Sequence, residues 1–342
     1  MYCCANCFGD DEYLAKKINT PHAMTGDCNY CQSQNVALAN PADVRDEFEF
    51  LMSIYKETSG DQGKCIIDCL VADWELFLEK DRLTSVQLLG TILNDSSLGS
   101  KYFVPVSLGQ VSPKEMWENF RNELITQHRF LPDNQINQKY LPLLFGYLAE
   151  EHVSGYIFRA RIQNGSVLFK KKDMGMPPAN LARAGRANPT GIPYFYAASD
   201  LVTAIAETRP HPGNKVSICR FQVIDKLQIL SLINPRSRIS PFEIAFQQGD
   251  EDYLKKLRHD VEFLCHLGTE LSKPITPDAA ELEYLPTQYL CELIKKESFD
   301  GVKFQSSVGD GVNFTLFSQS KVKAHSVISH YVKGLEYSTV KI

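Results

Sequence analysis

The hydrophobic period of the chain changes near Glu150, and that change constrains the fold more than any other feature. Before it, from Ala42 to about Glu150, apolar residues recur at three-and-four spacing: Ile66, Ile67, Leu70, Val71, Trp74, Phe77 and Leu78, then Val86, Leu89, Ile92 and Leu93. This is the pattern of helices that bury one face. Ser112-Pro-Lys-Glu115 reads as a capping box with proline at the first helical position, opening a helix to about His128. Leu141-Pro142 interrupts the next helical segment. After Glu150 the residues alternate. Tyr156–Ile162 reads as a strand with Arg159 and Arg161 on one face and Phe158, Ala160 and Ile162 on the other. Val216–Phe221 and Leu227–Leu232 are further strand candidates, followed by helices over about Asp250–Leu271 and Gln288–Lys296. Gly301–Ser307 and Val312–Phe317 then form a hairpin-like pair around Gly309-Asp310-Gly311. Strands and helices in this mixed order, with hairpin connections, predict an α+β sheet domain over residues 151–342 and not a doubly wound one. An all-α domain is expected ahead of it, over residues 41–150.

The first forty residues carry a third element. Cys4-Ala-Asn-Cys7 and Cys28-Asn-Tyr-Cys31 are two C-x2-C knuckles separated by 20 residues, the spacing of a four-thiolate zinc site. Phe8-Gly9-Asp10 and Gly26-Asp27 supply the turn residues such knuckles need. Residues 1–40 are therefore expected to be a zinc-knuckle motif with Cys4, Cys7, Cys28 and Cys31 as ligands and Cys3 to spare. A closed set of four thiolates leaves no open coordination position, so the metal would be structural. Cys65, Cys69, Cys219, Cys265 and Cys291 lie in apolar contexts and read as core residues.

Composition narrows the classes of function. The 342 residues are 44% apolar and 23% charged with net charge −5, as in a soluble globular protein large enough for two domains. A pI near 5.9 argues against a surface that grips nucleic acid all over. No apolar run approaches the ~20 residues that cross a bilayer. The first residues lack the basic and apolar regions of a secretory signal, so a cytoplasmic location with reduced cysteines is expected.

Against that acidic background one stretch, Gly155–Pro212, is locally basic. Arg159, Arg161, Lys170, Lys171, Lys172, Arg183 and Arg186 are opposed between residues 159 and 186 only by Asp173. Such a concentration focuses potential on an anion, and guanidinium groups match phosphate oxygens two at a time. A Gly-Pro-rich passage follows, then a short apolar run with Tyr194 and Tyr196, then a helix opening at Asp200 and carrying Glu207. Taken singly, Glu207 reads as a solvated charge, Tyr196 as core and Arg159 as an exposed strand face. Together they offer cations for a diphosphate, a ring for a flat base and a carboxylate for a developing positive charge.

The same stretch resembles the RES domain family, whose fold is like that of ADP-ribosyltransferases. The matching pieces are FRAR at Phe158–Arg161, AGRAN and YFYAA within Ala184–Ala198, TAIAE at Thr203–Glu207, and DGVKFQSS at Asp300–Ser307 with NFTLF after it. They stand in the family's order across about Gly155–Phe317. The resemblance implies an enzyme that consumes NAD+ by phosphorolysis, hydrolysis or ADP-ribosyl transfer. It implies Arg159, Glu207 and Ser306 as catalytic residues and Arg186 and Tyr196 as substrate-binding residues. Arg159 and Arg186 would hold the diphosphate or an incoming inorganic phosphate, Tyr196 would stack on nicotinamide, and Ser306, with Ser307 as the neighbouring choice, would hydrogen-bond ribose or phosphate. Two positions depart from the family pattern: Ala187 replaces a common aromatic residue and Phe304 a usual tyrosine, and both bear on the base pocket. Several compact members of the family are toxins paired with an antitoxin, so a protein partner for the amino-terminal part is a further expectation.

The zinc knuckles and helices look like the HEPN-like module that precedes RES domains in some longer proteins. Arg121-Asn122 and His128, seven apart and so on one helical face, are similar to the RNA-cleaving motif of that module; an exposed helix face with idle polar residues is the simpler reading of the same spacing. Three functions follow: an NAD+-consuming enzyme, a metal-independent RNase acting through Arg121 and His128, and a non-catalytic nucleotide-sensing interaction protein.

Overall fold

The computed structural model describes residues 1–77, 81–106, 111–133, 141–152, 155–165, 167–243, 250–273 and 280–336. Leu78, expected on a helix, lies outside them. In chain order the helices are α1 (Glu12–Ile18), α2 (Arg45–Met52), α3 (Ile66–Trp74), α4 (Arg82–Leu93), α5 (Pro113–Thr126), α6 (Leu141–Leu148), α7 (Leu201–Glu207), α8 (Pro235–Arg238), α9 (Glu251–Ser272), α10 (Ala280–Glu283) and α11 (Leu285–Lys296). The strands are β1 (Met24–Gly26), β2 (Val36–Leu38), β3 (Tyr55–Thr58), β4 (Tyr102–Pro105), β5 (Ala149–His152), β6 (Tyr156–Ile162), β7 (Phe195–Ala198), β8 (Lys215–Val223), β9 (Leu227–Ser231), β10 (Gly301–Gln305), β11 (Val312–Leu316) and β12 (Val322–Tyr331). No helix among the described residues is long and apolar enough to cross a membrane.

The chain divides into two compact units: residues 1–115 with 234–264, and residues 116–233 with 265–342. In the first unit Phe8, Phe48, Phe77 and Phe242 form a ring cluster with centroids 5.4–5.8 Å apart between neighbours. Helix α3 stops at Trp74 because Glu75 takes a left-handed conformation, and Phe77 reaches the core from a turn at φ 62°. Region 41–150 is not all-α. Strands β3 and β4 pair antiparallel, Tyr55 with Pro105 through Thr58 with Tyr102, and β5 belongs to the large sheet. Strands of four residues repeat too briefly to leave a period in the sequence. The expected cap of α5 is present, with Glu115 N–H donating to Ser112 Oγ at 3.2 Å.

The second unit holds an eight-stranded sheet in the order β12-β8-β6-β7-β11-β10-β9-β5, and the fold is α+β. All neighbours run antiparallel except β9 and β10. One face carries Ile157, Phe195, Ala197, Cys219, Phe221, Phe314 and Leu316, closed over by Phe169, Met174 and Met176. On the other face Val216, Ile218, Phe158 and Ala160 pack against Leu201 and Ile205 of α7. The alternation expected of β6 is therefore present, Ile157 on one side and Phe158 with Ala160 on the other. The sheet is continuous except at one place. Strands β6 and β8 pair from Tyr156 to Ile162, whereas β6 and β7 pair only at Phe158↔Ala198. Beyond that rung the two strands diverge.

Candidate active site

The divergence of β6 and β7 opens a cavity of about 370 Å³, lined by Phe158, Arg159, Tyr196, Arg186, Glu207 and Asn313 among others. Four of the five expected site residues of the sheet domain thus border one space. The fifth, Ser306, reaches it through Glu207.

Helix α7 delivers Glu207. Asp200 caps it, accepting from Thr203 N–H at 2.8 Å, and Leu201 and Ile205, four apart, seat it on β6. Thr203 stands four residues before Glu207, so both face the loop between β10 and β11. Gly311 N–H donates to Thr203 Oγ1 at 3.1 Å and Val312 N–H to Ser199 Oγ at 3.0 Å. That loop approaches so closely that a Cβ on Gly311 would lie 1.9 Å from Asp200 Oδ2; only glycine fits. Burial raises the Asp200 carboxyl pKa, but hydrogen bonds from Thr203 and Ser199 outweigh it and leave the group below its ordinary value. The Glu207 carboxylate then receives Ser306 Oγ–H at 2.7 Å and Asn313 Nδ2–H at 2.6 Å, both on Oε1. Ser306 is buried and Ser307 exposed.

Arg159 lies where the ladder fails. Its guanidinium donates to Tyr196 C=O at 2.7 Å, an acceptor that a paired strand would otherwise satisfy, and sits 5.3 Å from the Phe195 ring centroid. Protein crowds it so densely that burial first, and Arg161 second, lower its pKa to about 10. Its Nε is buried without a partner, and no carboxylate among the described residues pairs with it. An enclosed, uncompensated cation is costly unless an anion arrives.

The Ala184–Asn188 loop carries Arg186. Asn188 organises it, its Nδ2 donating to the carbonyls of Arg183, Pro189 and Ile192 at 2.9–3.1 Å. From α11, Thr287 Oγ1 donates to Arg186 C=O at 2.6 Å, and Gln288 Nε2 to Gly185 C=O at 2.8 Å. The Arg186 guanidinium donates to Leu271 and Ser272 carbonyls at 3.1 and 3.3 Å, where a helix end favours a cation; both bonds come from Nη1. Tyr196 O–H donates to Asn188 Oδ1 at 2.6 Å, and burial pushes its pKa up. A Cβ on Gly185 would come within 2.6 Å of that hydroxyl. Of the two departures from the family pattern, Phe304 lines the cavity, while Ala187 is fully buried beside it.

The basic run does not gather at this cavity. Phe169, Met174 and Met176 anchor residues 167–176 to the opposite face of the sheet, so Lys170, Lys171 and Lys172 are exposed there. Arg161 follows them, bonding Asp173 C=O and lying 4.6 Å from the Phe169 centroid. Of the seven cations only Arg159 and Arg186 border the cavity. Sequence reading missed Asn313, which looked like one more strand residue, and Asn188, whose work is to tie loop carbonyls together.

Two other expected constellations lie elsewhere. The Sγ atoms of Cys4, Cys7, Cys28 and Cys31 all fall within 4.8 Å of one another; Cys4–Cys31 and Cys7–Cys28 are each 3.4 Å apart. Tetrahedral zinc at ~2.3 Å from each sulfur needs S–S edges of about 3.8 Å, so the cluster is compatible with zinc. Cys3 stays out of it, its thiol pushed up to about 12 by burial. Arg121 and His128 do not share a helical face. Helix α5 ends at Thr126, and His128 N–H turns back to Glu123 C=O at 2.9 Å. The Arg121 guanidinium is bound by Glu283, with Glu118 at 3.8 Å.

The RES domain family matches residues 158–338, more than half of the chain, and the protein belongs to that family. Among solved structures, a chain of the M. tuberculosis MbcT–MbcA toxin–antitoxin complex is 12% identical, with 56% of this chain and 93% of that chain covered at a TM-score of 0.33. No curated protein matches the chain.

Proposed function

We propose that this protein degrades NAD+ by breaking the nicotinamide–ribose bond. The observation that carries the reading is the single cavity bordered by Arg159, Arg186, Tyr196 and Glu207, in a chain whose family is implicated in NAD+ consumption. As the bond breaks, both its electrons leave with nicotinamide, which departs neutral, and positive charge grows on ribose C1. Glycosidases meet the same demand with carboxylates. Glu207, with Oε2 receiving no hydrogen bond among the described residues, takes that role: it accepts from a ribose hydroxyl and offsets the cation mainly in the transition state. Arg159 and Arg186 bind the diphosphate or an incoming phosphate, and Tyr196 forms one wall of the pocket. Water or phosphate then attacks C1.

The test is incubation of purified protein with NAD+, with and without inorganic phosphate, and separation of ADP-ribose from its 1″-phosphate by mass spectrometry. Loss of NAD+ that Glu207→Ala abolishes supports the reading. NAD+ left intact by both proteins rejects it, and tight NAD+ binding without turnover favours the nucleotide-sensing alternative. No contact of Arg121 or His128 favours RNA cleavage. We assign Cys4, Cys7, Cys28 and Cys31 to a structural zinc, which elemental analysis tests: one zinc per chain is expected, and its loss in Cys28→Ser.

A further inference from the structure

We infer that Asn313 and Ser306 form a positioning pair that commits one oxygen of Glu207 to the protein and leaves the other to the substrate; the catalytic half of this inference rests on the NAD+ reading. Asn313 is 7% exposed and Ser306 6%, and both point at Glu207 Oε1, at 2.6 and 2.7 Å. A carboxylate oxygen only accepts, so Asn313 must present its NH2 group and Ser306 its only proton. The Ser306 oxygen in turn accepts from Val308 N–H at 3.2 Å, so the hydroxyl has no proton left for ribose or phosphate. Ser306 therefore acts through Glu207, and Asn313 is its equal partner.

The anchoring of the pair is what makes it a device. Ser306 sits on the loop and Asn313 on the strand that follows it, and both are tied to the capped end of the helix whose last residue is Glu207. The ties are Gly311 N–H to Thr203 Oγ1, Val312 N–H to Ser199 Oγ, and Thr203 Oγ1–H to Asp200 Oδ2 at 2.8 Å. The register puts Asn313 directly opposite Ala198 on β7 and Phe304 on β10, which fixes its side chain on the cavity face. The carboxylate is thus held by two donors on one oxygen before any substrate binds, the condition under which an electrostatic group costs no reorganisation during reaction.

Asn313→Asp and Asn313→Ala separate positioning from space-filling. A donor role predicts that the nearly isosteric aspartate is at least as damaging as alanine, lowering kcat on the order of 10²-fold with KM for NAD+ within about twofold. A packing role predicts the reverse order, and an N313D enzyme with wild-type kcat overturns the inference while the NAD+ reading stands. A second measurement needs no activity. In thermal melts of the free protein N313D lowers Tm by setting two carboxylates together, and adding Glu207→Gln restores it, because the new amide can donate to the new carboxylate. Strictly additive Tm shifts overturn the pair. If wild type leaves NAD+ untouched while the melts show coupling, the NAD+ reading falls and the positioning pair remains.

Discussion

Two arginines, one in each unit, show how differently the same side chain is used. Arg258 in the first unit meets Asp73 with two hydrogen bonds at 2.6 and 2.9 Å. Asp73 also receives Tyr55 O–H at 2.9 Å, and Tyr55 receives Trp74 Nε1–H at 3.0 Å. Burial lowers the Arg258 pKa, but the bonds to Asp73 outweigh it and hold it above its ordinary value. Arg159 in the second unit has a carbonyl, a ring beneath it and an idle Nε, and its pKa falls. A charge closed on its own protein is a structural element; one left open in a cavity waits for a ligand.

The contrast can be broken in four ways. The largest effect belongs to Glu207→Ala, which should cut NAD+ turnover on the order of 10³-fold, ~4 kcal/mol of barrier, at a smaller stability cost of about 1–3 kcal/mol for the buried donors it strands; initial rates and calorimetry report the two halves. Next, Asp73→Ala strands Arg258 and should cost about 3 kcal/mol in urea unfolding, the low end for a broken buried pair because both groups keep some exposure; a loss below ~1 kcal/mol would show that the first unit's network is not closed. Arg159→Met should do the opposite, leaving stability within ~1 kcal/mol or raising it while weakening NAD+ binding, read as KM, about tenfold. The smallest effect is at Asp200, where alanine should cost ~1 kcal/mol for the lost cap. Because its folded pKa is lowered, that contribution is complete above the unfolded value of about 3.9 and vanishes as pH falls through the folded one. Melting curves of D200A and wild type should therefore converge in acid.

The sequence was most readable where an element announces itself locally. Tyr156–Ile162 alternates and is a strand over those same residues, Ser112 caps α5, and the Gly309–Gly311 turn joins two antiparallel strands. It was least readable where the reason for a residue lies far along the chain. Asn313 answers to a carboxylate 106 positions earlier, and Gln288 to carbonyls about 100 positions earlier. Strand β12, written Val-Lys-Ala-His-Ser-Val-Ile-Ser-His-Tyr, takes its shape from nine cross-strand partners on β8 and not from an apolar alternation of its own. Charge misled for a related reason: Lys170–Lys172 sit close to Arg159 in sequence, but Phe169 and Met174 decide where that segment packs.

Strand β7 is joined to β11 by four rungs and to β6 by one. On its other side the Tyr196 carbonyl is taken by the Arg159 guanidinium, and a backbone carbonyl is a group that every residue type keeps. The anchor of that arginine is therefore main chain, so its placement can persist while the surrounding side chains drift beyond recognisable likeness.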